Sequence, residues 1–577
     1  MKYFKIFILT AAIALVFYAC KKSFLDKAPL GVLDPAALAN KNGVNGLLIG
    51  AYALLDGFGG AGGGWASAGS NWVYGCVAGT ESHKGSSAGD QPDIVPIETF
   101  HPTATNGFFE QKWQMVYDGV SRCNDVIRIA ALAKDISPIE LAQILGQARA
   151  LRAWYHMEAK KMWNKIPFVD ETITYGANNY LVGNVADVWP LIEADLVYAV
   201  ANLPATFPQL GRINKYSAEA ILAKAYMFEK KFAAAKPLLT DIINSGNYGL
   251  VKYHQNFDII NKNSKESLFA AQCSVNDNAG GNNGNWGDVL NFPYGGSPGT
   301  CCGFNQPTQW FVDHFRTDAV TGLPDLDNFD AVSIPSDQGL LSTQPFTPYA
   351  GTIDSRLDWS VGRRGVPYLD WGVNPGNDWI RAQSDGGPYS PIKNVYSNAV
   401  LGSLTGASFW SSGVTANNIN LIRYTDVLLW AAEVEVEIGT VDLARGLVNL
   451  VRARAADATG WSKKYLNDAT PQGGFSGTNA ANYKVGTYTV PWVDQTTARK
   501  AVRFERLLEL GMEGHRFFDL VRWDIAKTEI PRYFAKEKAI IPYLINGQFT
   551  AGKNEYFPIP QNEIDKSGGK MIQNPGY

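Results

Sequence analysis

Tyr216–Lys231 reads YSAEAILAKAYMFEKK, and Phe232–Ile243 follows at once as FAAAKPLLTDII. In the first stretch Ala220, Ala223 and Tyr226–Met227 recur at three- and four-residue spacing, with lysines and glutamates on the opposite side. That spacing is the signature of an amphipathic helix. The second stretch repeats the pattern until Ser245-Gly246 stops it. A helix rich in small residues, a tight turn and a second helix opening aromatic-x-x-Ala make a TPR-like helical hairpin. The same reading holds for Phe108–Leu132 with Pro138–Trp163, and for Thr425–Ile438 with Val441–Ala456. Spacing between the pairs is irregular, so the sequence predicts a scaffold of divergent hairpins rather than a strict solenoid.

Between the hairpins the chain is rich in glycine, asparagine and aromatic residues and has no sustained period. These stretches are Gly57–His101 and, at greater length, Asn276–Asn420. Loops this long are uncommon in compact domains and tend to carry function. They hold Trp65, Trp72, Trp286, Trp310, Trp359, Trp371, Trp379 and Trp410, half of the 16 tryptophans. A disordered linker would be poor in aromatics, so the loops are expected to fold over the scaffold.

The first residues, MKYFKIFILTAAIALVFYAC, place Lys2 and Lys5 before the apolar run Ile6–Ala19. That run is too short to span a bilayer, which needs about 20 residues, and suits a signal-peptide h-region. Ending on Ala19-Cys20, it resembles a bacterial lipoprotein signal, although Phe17 and Tyr18 are bulkier than usual there. The expectation is export, with Cys20 lipidated and tethering the chain to a membrane. A plain signal peptide or an uncleaved anchor is the alternative. The net charge of −3 gives no footprint for nucleic acid, which needs clustered Lys and Arg.

Enzyme readings find little support. Gly57-x-Gly59-x-x-Gly62 formally matches a dinucleotide fingerprint, but a helical stretch, Gly46–Asp56, precedes it instead of a strand. The six histidines are scattered, none at metal-ligand spacing, and no metal is expected. Asp325-x-Asp327-x-x-Asp330 lacks the calcium-loop pattern and reads as a solvated loop. Glu505 and Glu509, one turn apart beside Arg503 and Arg506, predict an intrahelical ion-pair ladder.

What remains is rings with planar polar partners. Sugars present apolar C–H faces and hydroxyl edges, so their sites combine flat rings with amides, carboxylates and guanidinium groups. Arg356–Arg381, RLDWSVGRRGVPYLDWGVNPGNDWIR, interleaves Trp359, Tyr368, Trp371 and Trp379 with Asp358, Arg363, Arg364, Asp370 and Asn377.

Ile422–Glu433 (IRYTDVLLWAAE), Val502–Trp523 (VRFERLLELGMEGHRFFDLVRW) and Asn554–Tyr577 (NEYFPIPQNEIDKSGGKMIQNPGY) resemble the conserved blocks of the SusD/RagB family of outer-membrane nutrient-binding lipoproteins. CKKSFLDKAPLG at Cys20 and ARALRAWYHMEAKKMWNKIPFVDE at Ala148–Glu171 agree. The resemblance implies a mainly α fold, a TPR-like hairpin scaffold decorated by long irregular loops and minor β. It divides the chain into a signal peptide (1–19), a tether (20–34), an N-terminal helical region (35–250) and a C-terminal region (251–577) with the aromatic loop insert 276–420. It also implies a non-catalytic, cofactor-free protein at the outer membrane that captures oligo- or polysaccharide for a SusC-like TonB-dependent transporter. A TPR-like interaction scaffold of a transporter complex, binding peptide or another non-glycan nutrient, is the alternative. Lys21-Lys22 departs from the acidic residues that follow the lipidated cysteine in many relatives, so surface exposure follows less directly than membrane attachment. Phe517, Phe518, Leu520 and Val521 read as core, with Arg516 and Asp519 tying that helix to its neighbours. No family motif carries sugar contacts. The candidate binding residues are therefore those of the loops: Trp65, Trp72, Trp286, Tyr294, Cys301, Cys302, Phe304, Trp310, Trp359, Arg363, Arg364, Tyr368, Trp371 and Trp379.

Cys301 and Cys302 stand adjacent in Gly299–Phe311, GTCCGFNQPTQWF. Export favours disulfides, and with Cys20 lipidated the five other cysteines leave at least one unpaired. Adjacent Cα atoms about 3.8 Å apart fall below the usual disulfide range of about 4.4–6.8 Å. A vicinal disulfide would make a small apolar plate near Phe304 and Trp310. Two thiols packed, or paired with Cys76 or Cys273, and a metal or redox role are the other readings.

Overall fold

The computed structural model describes residues 35–577 apart from 61–62, 175, 177, 185–186, 297 and 407–412. The signal segment, Cys20, the tether and Trp410 lie outside the described residues.

The hairpins form where periodicity and capping agree. Helix α1 spans Lys41–Tyr52, α2 Gly107–Ala130, α3 Pro138–Trp163, α4 Trp189–Asn202, α5 Lys215–Phe228 and α6 Phe232–Asn244. Asn106, Ser137 and Asn214 side chains cap α2, α3 and α5 by accepting from backbone N–H groups two or three residues on. Each helix from α2 to α6 packs on the next. α4 is not among the hairpins read from the sequence; it opens on Trp189-Pro190, where a missing N–H is tolerated. α5 is not one-sided as its pattern predicts. Glu219 and Lys224 on its polar side are buried too. Lys215 meets Glu219 at 3.4 Å, and the Lys224 ammonium lies 4.8 Å from the Trp154 ring centroid.

Helices α7 (Tyr424–Ile438) and α8 (Val441–Ala456) form a further hairpin, which α9 (Gln495–Leu510) covers and α6 flanks. Two short helices follow, α10 (Arg516–Arg522) and α11 (Ala526–Glu537). Strand content is minor. β1 (Ser82–Gly85) pairs antiparallel with β3 (Phe304–Pro307), Gly85 facing Phe304. β2 (Ser267–Ala271) pairs antiparallel with β4 (Ile419–Arg423), which feeds straight into α7. Among the described residues no helix is long and apolar enough to cross a membrane.

One continuous apolar core runs from Val44 to Met571 through both halves of the chain. A second, small core of Phe292, Tyr368, Ile392, Val395 and Tyr396 belongs to the long loop insert. The final segment returns to the first hairpins: Phe557 N–H donates to the Met162 carbonyl at 2.8 Å, and Asn574 Nδ2 to that of Trp163 at 2.9 Å.

The acidic residues of α9 do not form the intrahelical ladder expected of them. Glu505 pairs with Arg356 and Arg452, while Glu509 pairs with Arg356, Arg423 and Arg454. Arg506 reaches Asp519 at 3.0 Å and Asp426 at 3.4 Å. These helices are buried against one another, so the charges find cross-chain partners in place of exposed i,i+4 neighbours.

Candidate functional site

Rings carried by two loop regions meet on one face. The loop after α1 turns at Gly57 and Gly59, whose φ values of 90° and 85° favour glycine, and holds Phe58 between them. Asp56 anchors the turn by accepting the Phe58 N–H at 2.8 Å; burial pushes its carboxyl up to about 7. Phe58 stacks on Trp286, centroids 5.2 Å apart and planes within 22°. The indole N–H of Trp286 donates to the Gly281 carbonyl at 2.9 Å, which fixes the ring. Gly64 lies beside the pair, where a Cβ would be 3.4 Å from both Phe58 Cδ2 and Trp286 Cβ. Trp65 Nε1 donates to Gln91 Oε1 at 3.2 Å.

Trp286 borders a trough of about 530 Å³, lined by Asn276, Asp277, Asn278, Gly280, Gly281, Gly406 and Val414. Hydrogen bonds from Ser274, Asn283 and the Ala279 N–H hold the Asp277 carboxyl down at about 2, so it is ionised. A half-exposed indole beside two amides and a carboxylate has the donor and acceptor set a sugar needs.

The paired cysteines follow Trp286 in the same loop insert, Cys301 half-buried and Cys302 buried. Cys301 and Cys302 are disulfide-bonded to each other, and Cys76, Cys123 and Cys273 are buried free thiols. The peptide between Cys301 and Cys302 is cis and brings their Cα atoms to 3.0 Å, not the 3.8 Å of a trans link. Cys302 N–H donates to the Leu290 carbonyl at 3.1 Å, and Gly303 N–H to that of Phe292 at 2.8 Å. Gly303 has φ 76°, and a Cβ on it would lie 3.5 Å from Tyr294 Cβ. The Arg381 guanidinium lies 5.1 Å from the Tyr294 ring centroid, held by Asp90 at 2.6 Å and Ser86 Oγ at 2.9 Å. Alkylation of the denatured, unreduced protein should label Cys76, Cys123 and Cys273, and Cys301 and Cys302 only after reduction. Peptide mass mapping reads this directly.

The comparisons with known proteins fit this architecture. A family model described as the SusD family matches residues 265–577. The chain belongs to the SusD family. A second family model, described as starch-binding associating with outer membrane, matches residues 82–227. The chain is 23% identical to the SusD-like protein P25 of Formosa agariphila, over 78% of this chain and 76% of that one. A SusD superfamily protein from Bacteroides vulgatus superposes with TM-score 0.68 at 20% identity, covering 94% of this chain and 100% of the other. Surface glycan-binding protein A from Bacteroides thetaiotaomicron, in complex with laminarihexaose, superposes with TM-score 0.65 at 19% identity, covering 93% and 99%.

Within this SusD-family chain the loop candidates divide. Trp65, Trp286, Tyr294 and Cys301 are half-exposed, whereas Cys302 is 6% exposed, packs into the main apolar core and is corrected to an interior position. Trp379 backs Tyr294: its carbonyl accepts Tyr294 N–H at 2.9 Å, and its ring stands edge-on to Tyr368 at 5.3 Å. Five more candidates are corrected to interior positions. Trp72 and Trp310 are each 1% exposed; Trp72 is edge-on to Phe304, itself fully buried, and Trp310 is edge-on to Phe329. Tyr368 is buried with its hydroxyl on the Pro391 carbonyl. Arg363 grips Asp358 at 2.6 and 3.0 Å, and Tyr483 OH donates to the same carboxylate. None of the five offers a face to a ligand. Arg364 binds the carbonyls of Leu341, Ser342 and Gln344. Trp359 and Trp371 belong to a different cluster, with Trp371 Nε1 on the Tyr396 carbonyl.

Phe58, Gln91, Asp90 and Arg381 are site residues that the sequence reading did not single out. A lone aromatic between glycines that need positive φ was the available signal for Phe58. Among the described residues no group of three or more His, Cys, Asp or Glu could hold a metal ion. Asp327 pairs with Lys500, Asp330 pairs with Arg532, and Asp325 accepts the Asp327 and Asn328 N–H groups.

Proposed function

We propose that this chain is a non-catalytic glycan-binding lipoprotein that captures oligosaccharide at the outer-membrane surface and passes it to a SusC-like TonB-dependent transporter. The observation that carries the reading is the Phe58–Trp286 stack beside the trough of Asn276, Asp277 and Asn278. A pyranose lying on the indole would bury its C–H face there and offer its hydroxyl edge to the amides. Trp65, Tyr294 and Cys301, all half-exposed, are the further candidates for contact with a longer glycan. The relative bound to laminarihexaose supports a neutral glucan as the first ligand to test. The lipoprotein-like signal at Cys20 and the outer-membrane description of the second family model support the location.

Titration calorimetry with laminarihexaose, cellohexaose, maltohexaose and xylohexaose tests the proposal. At least one should bind, and Trp286→Ala should weaken it about tenfold or more, about 1.4 kcal/mol. Folded protein that binds no glycan, or binds equally well without Trp286, would contradict it.

A further inference from the structure

A cleft of about 250 Å³ opens between the loop insert, residues 254–259 and Phe475, lined by residues that the Trp286 trough does not use. The small core separates the two: Tyr396 in the cleft wall packs on Phe292 at 5.8 Å, and Phe292 accepts the Gly303 N–H on the side of the cysteine pair. We propose that this cleft is a second ligand site, and that it takes an uncharged aromatic ring carried as the aryl substituent of a sugar.

The floor is apolar. Ile259, Ile392, Val395 and Tyr396 are all buried. Trp359 forms one wall, its ring stacked on His254 at 4.6 Å and 26° and its indole N–H engaged by the Gly460 carbonyl. It therefore offers a ring face and no free donor. The lining holds no Asn, Gln, Arg or Lys, unlike the trough with its two amides. A bare pyranose seated on the floor, away from His254 and the polar mouth, would lose water hydrogen bonds that Ile259, Ile392 and Val395 cannot replace. An aromatic ring has none to lose. An apolar cavity of roughly 150 Å³ already holds benzene, so the space admits one ring and its linking atom.

Charge narrows the choice from both sides. Asp258 and Asp370 line the cleft, each holding neighbouring N–H groups: Asp258 those of Ile260 and Asn261, Asp370 those of Asn398 and Ala399. Two carboxylates disfavour an anion. Lys393 and Arg423, themselves ion-paired with Glu513, already lie 4.5 and 5.9 Å from the centroid of the Phe257 wall, so that ring has little left to offer a ligand cation. The mouth is polar, with Asp258, Asp370 and Ser397 half-buried and Phe475 46% exposed. Hydroxyls of an attached sugar would lie there, in contact with water.

Three probes test the site on the full chain: phenyl β-D-glucopyranoside, methyl β-D-glucopyranoside and benzoate, followed by calorimetry and tryptophan fluorescence. Phenyl glucoside should bind at least tenfold more tightly than either of the others. Trp359→Ala and Phe475→Ala should each weaken it at least fivefold, and Trp286→Ala should leave it within twofold. Phe475 lies on a surface hairpin, so its variant reports even where loss of Trp359 disturbs folding. The proposal is overturned if phenyl glucoside does not bind, if methyl glucoside or benzoate binds as tightly, if Trp359→Ala and Phe475→Ala are both without effect, or if binding disappears with Trp286. Hexasaccharide binding is scored separately through Trp286, so failure of one site is distinguishable from failure of the other.

Discussion

Glu509→Gln should destabilise the protein by about 3–5 kcal/mol, the typical consequence of removing one partner from a buried ion cluster. Glu509 Oε1 pairs with Arg423 at 2.6 Å and with Arg454, and Oε2 pairs with Arg356 at 3.0 Å. All four side chains are nearly inaccessible to water. Burial alone would raise the Glu509 carboxyl, but Arg454, Arg423 and Arg356 overcome it and hold the group far below the usual carboxylate range. Because the folded state lowers the pKa, the stabilisation is fully present above about pH 4.5 and is lost as pH falls toward the folded value. Glutamine keeps the shape and some hydrogen bonds but leaves Arg356, Arg423 and Arg454 one buried carboxylate short, with only Asp354, Glu505, Glu266 and Glu513 to offset them. The variant should unfold at lower urea concentration and lose part of the acid-side slope of stability against pH. An unfolding midpoint within error of the parent protein at pH 7 would show that the cluster is not the brace described. The location explains the size of the effect: Arg356 comes from the loop insert, Arg423 from β4, Arg454 from α8 and Glu509 from α9. One carboxylate thus joins the decorating loops to the hairpin scaffold.

On the alkaline side His83 should contribute about 3 kcal/mol of stability that is lost between about pH 6.5 and pH 9, read as the difference between the parent protein and His83→Gln. His83 lies on β1, 1% exposed, with Nδ1 at 2.9 Å from Glu98 and Nε2 at 3.3 Å from Glu537. Burial would lower its pKa, but the bonds to Glu537 and Glu98 outweigh that and raise it from 6.5 to about 9. A raised folded pKa means stability that is complete below about pH 6.5 and lost as pH climbs through about 9; the gap corresponds to about 3 kcal/mol. Urea titrations at pH 6.5, 7.5, 8.5 and 9.5 read the slope. His83→Gln should flatten it and be destabilised at pH 6.5, where Glu98 and Glu537 lose their cation. A parent protein whose stability is flat over this range would remove the charged imidazole from the account. β1 is also the strand that pairs with β3 just beyond Cys301–Cys302 and continues into Ser86 and Asp90. Loss of the His83 charge should therefore loosen the loops around Cys301–Cys302 before the helical scaffold.

The hairpins were legible in the sequence because their signal is local: Ala220, Ala223 and Met227 recur at helical spacing, and Asn106, Ser137 and Asn214 stand where caps belong. The structure places α2, α3 and α5 to α8 within a few residues of the stretches read. The site was legible only as an inventory. Trp310 and Trp286 look alike in aperiodic sequence, yet Thr308 caps a short buried helix, Gln309–Asp313, that takes Trp310 inside. Trp286 instead turns outward against Phe58, more than two hundred residues earlier in the chain. Exposure of a loop ring is decided by partners that no local window contains. The charged residues of α9 mislead for the same reason: i,i+4 spacing is the rule for a solvated helix, and the half of α9 that carries Glu505 and Glu509 is buried.

The return of the last segment to the first hairpins bears on how the chain comes to be folded at all. The bond from Asn574 to the Trp163 carbonyl spans 411 residues. At a synthesis rate of about 5–20 residues per second, that interval is about 20–80 s. For that time Phe108, Phe109, Tyr74 and Trp163 exist in the growing chain, while Phe557, which packs on Tyr74 and Phe109, has yet to emerge. The N-terminal hairpins are thus made first and finished last, with an open apolar flank throughout. For the exported lipoprotein proposed above, delivery of the whole polypeptide before folding would remove that hazard.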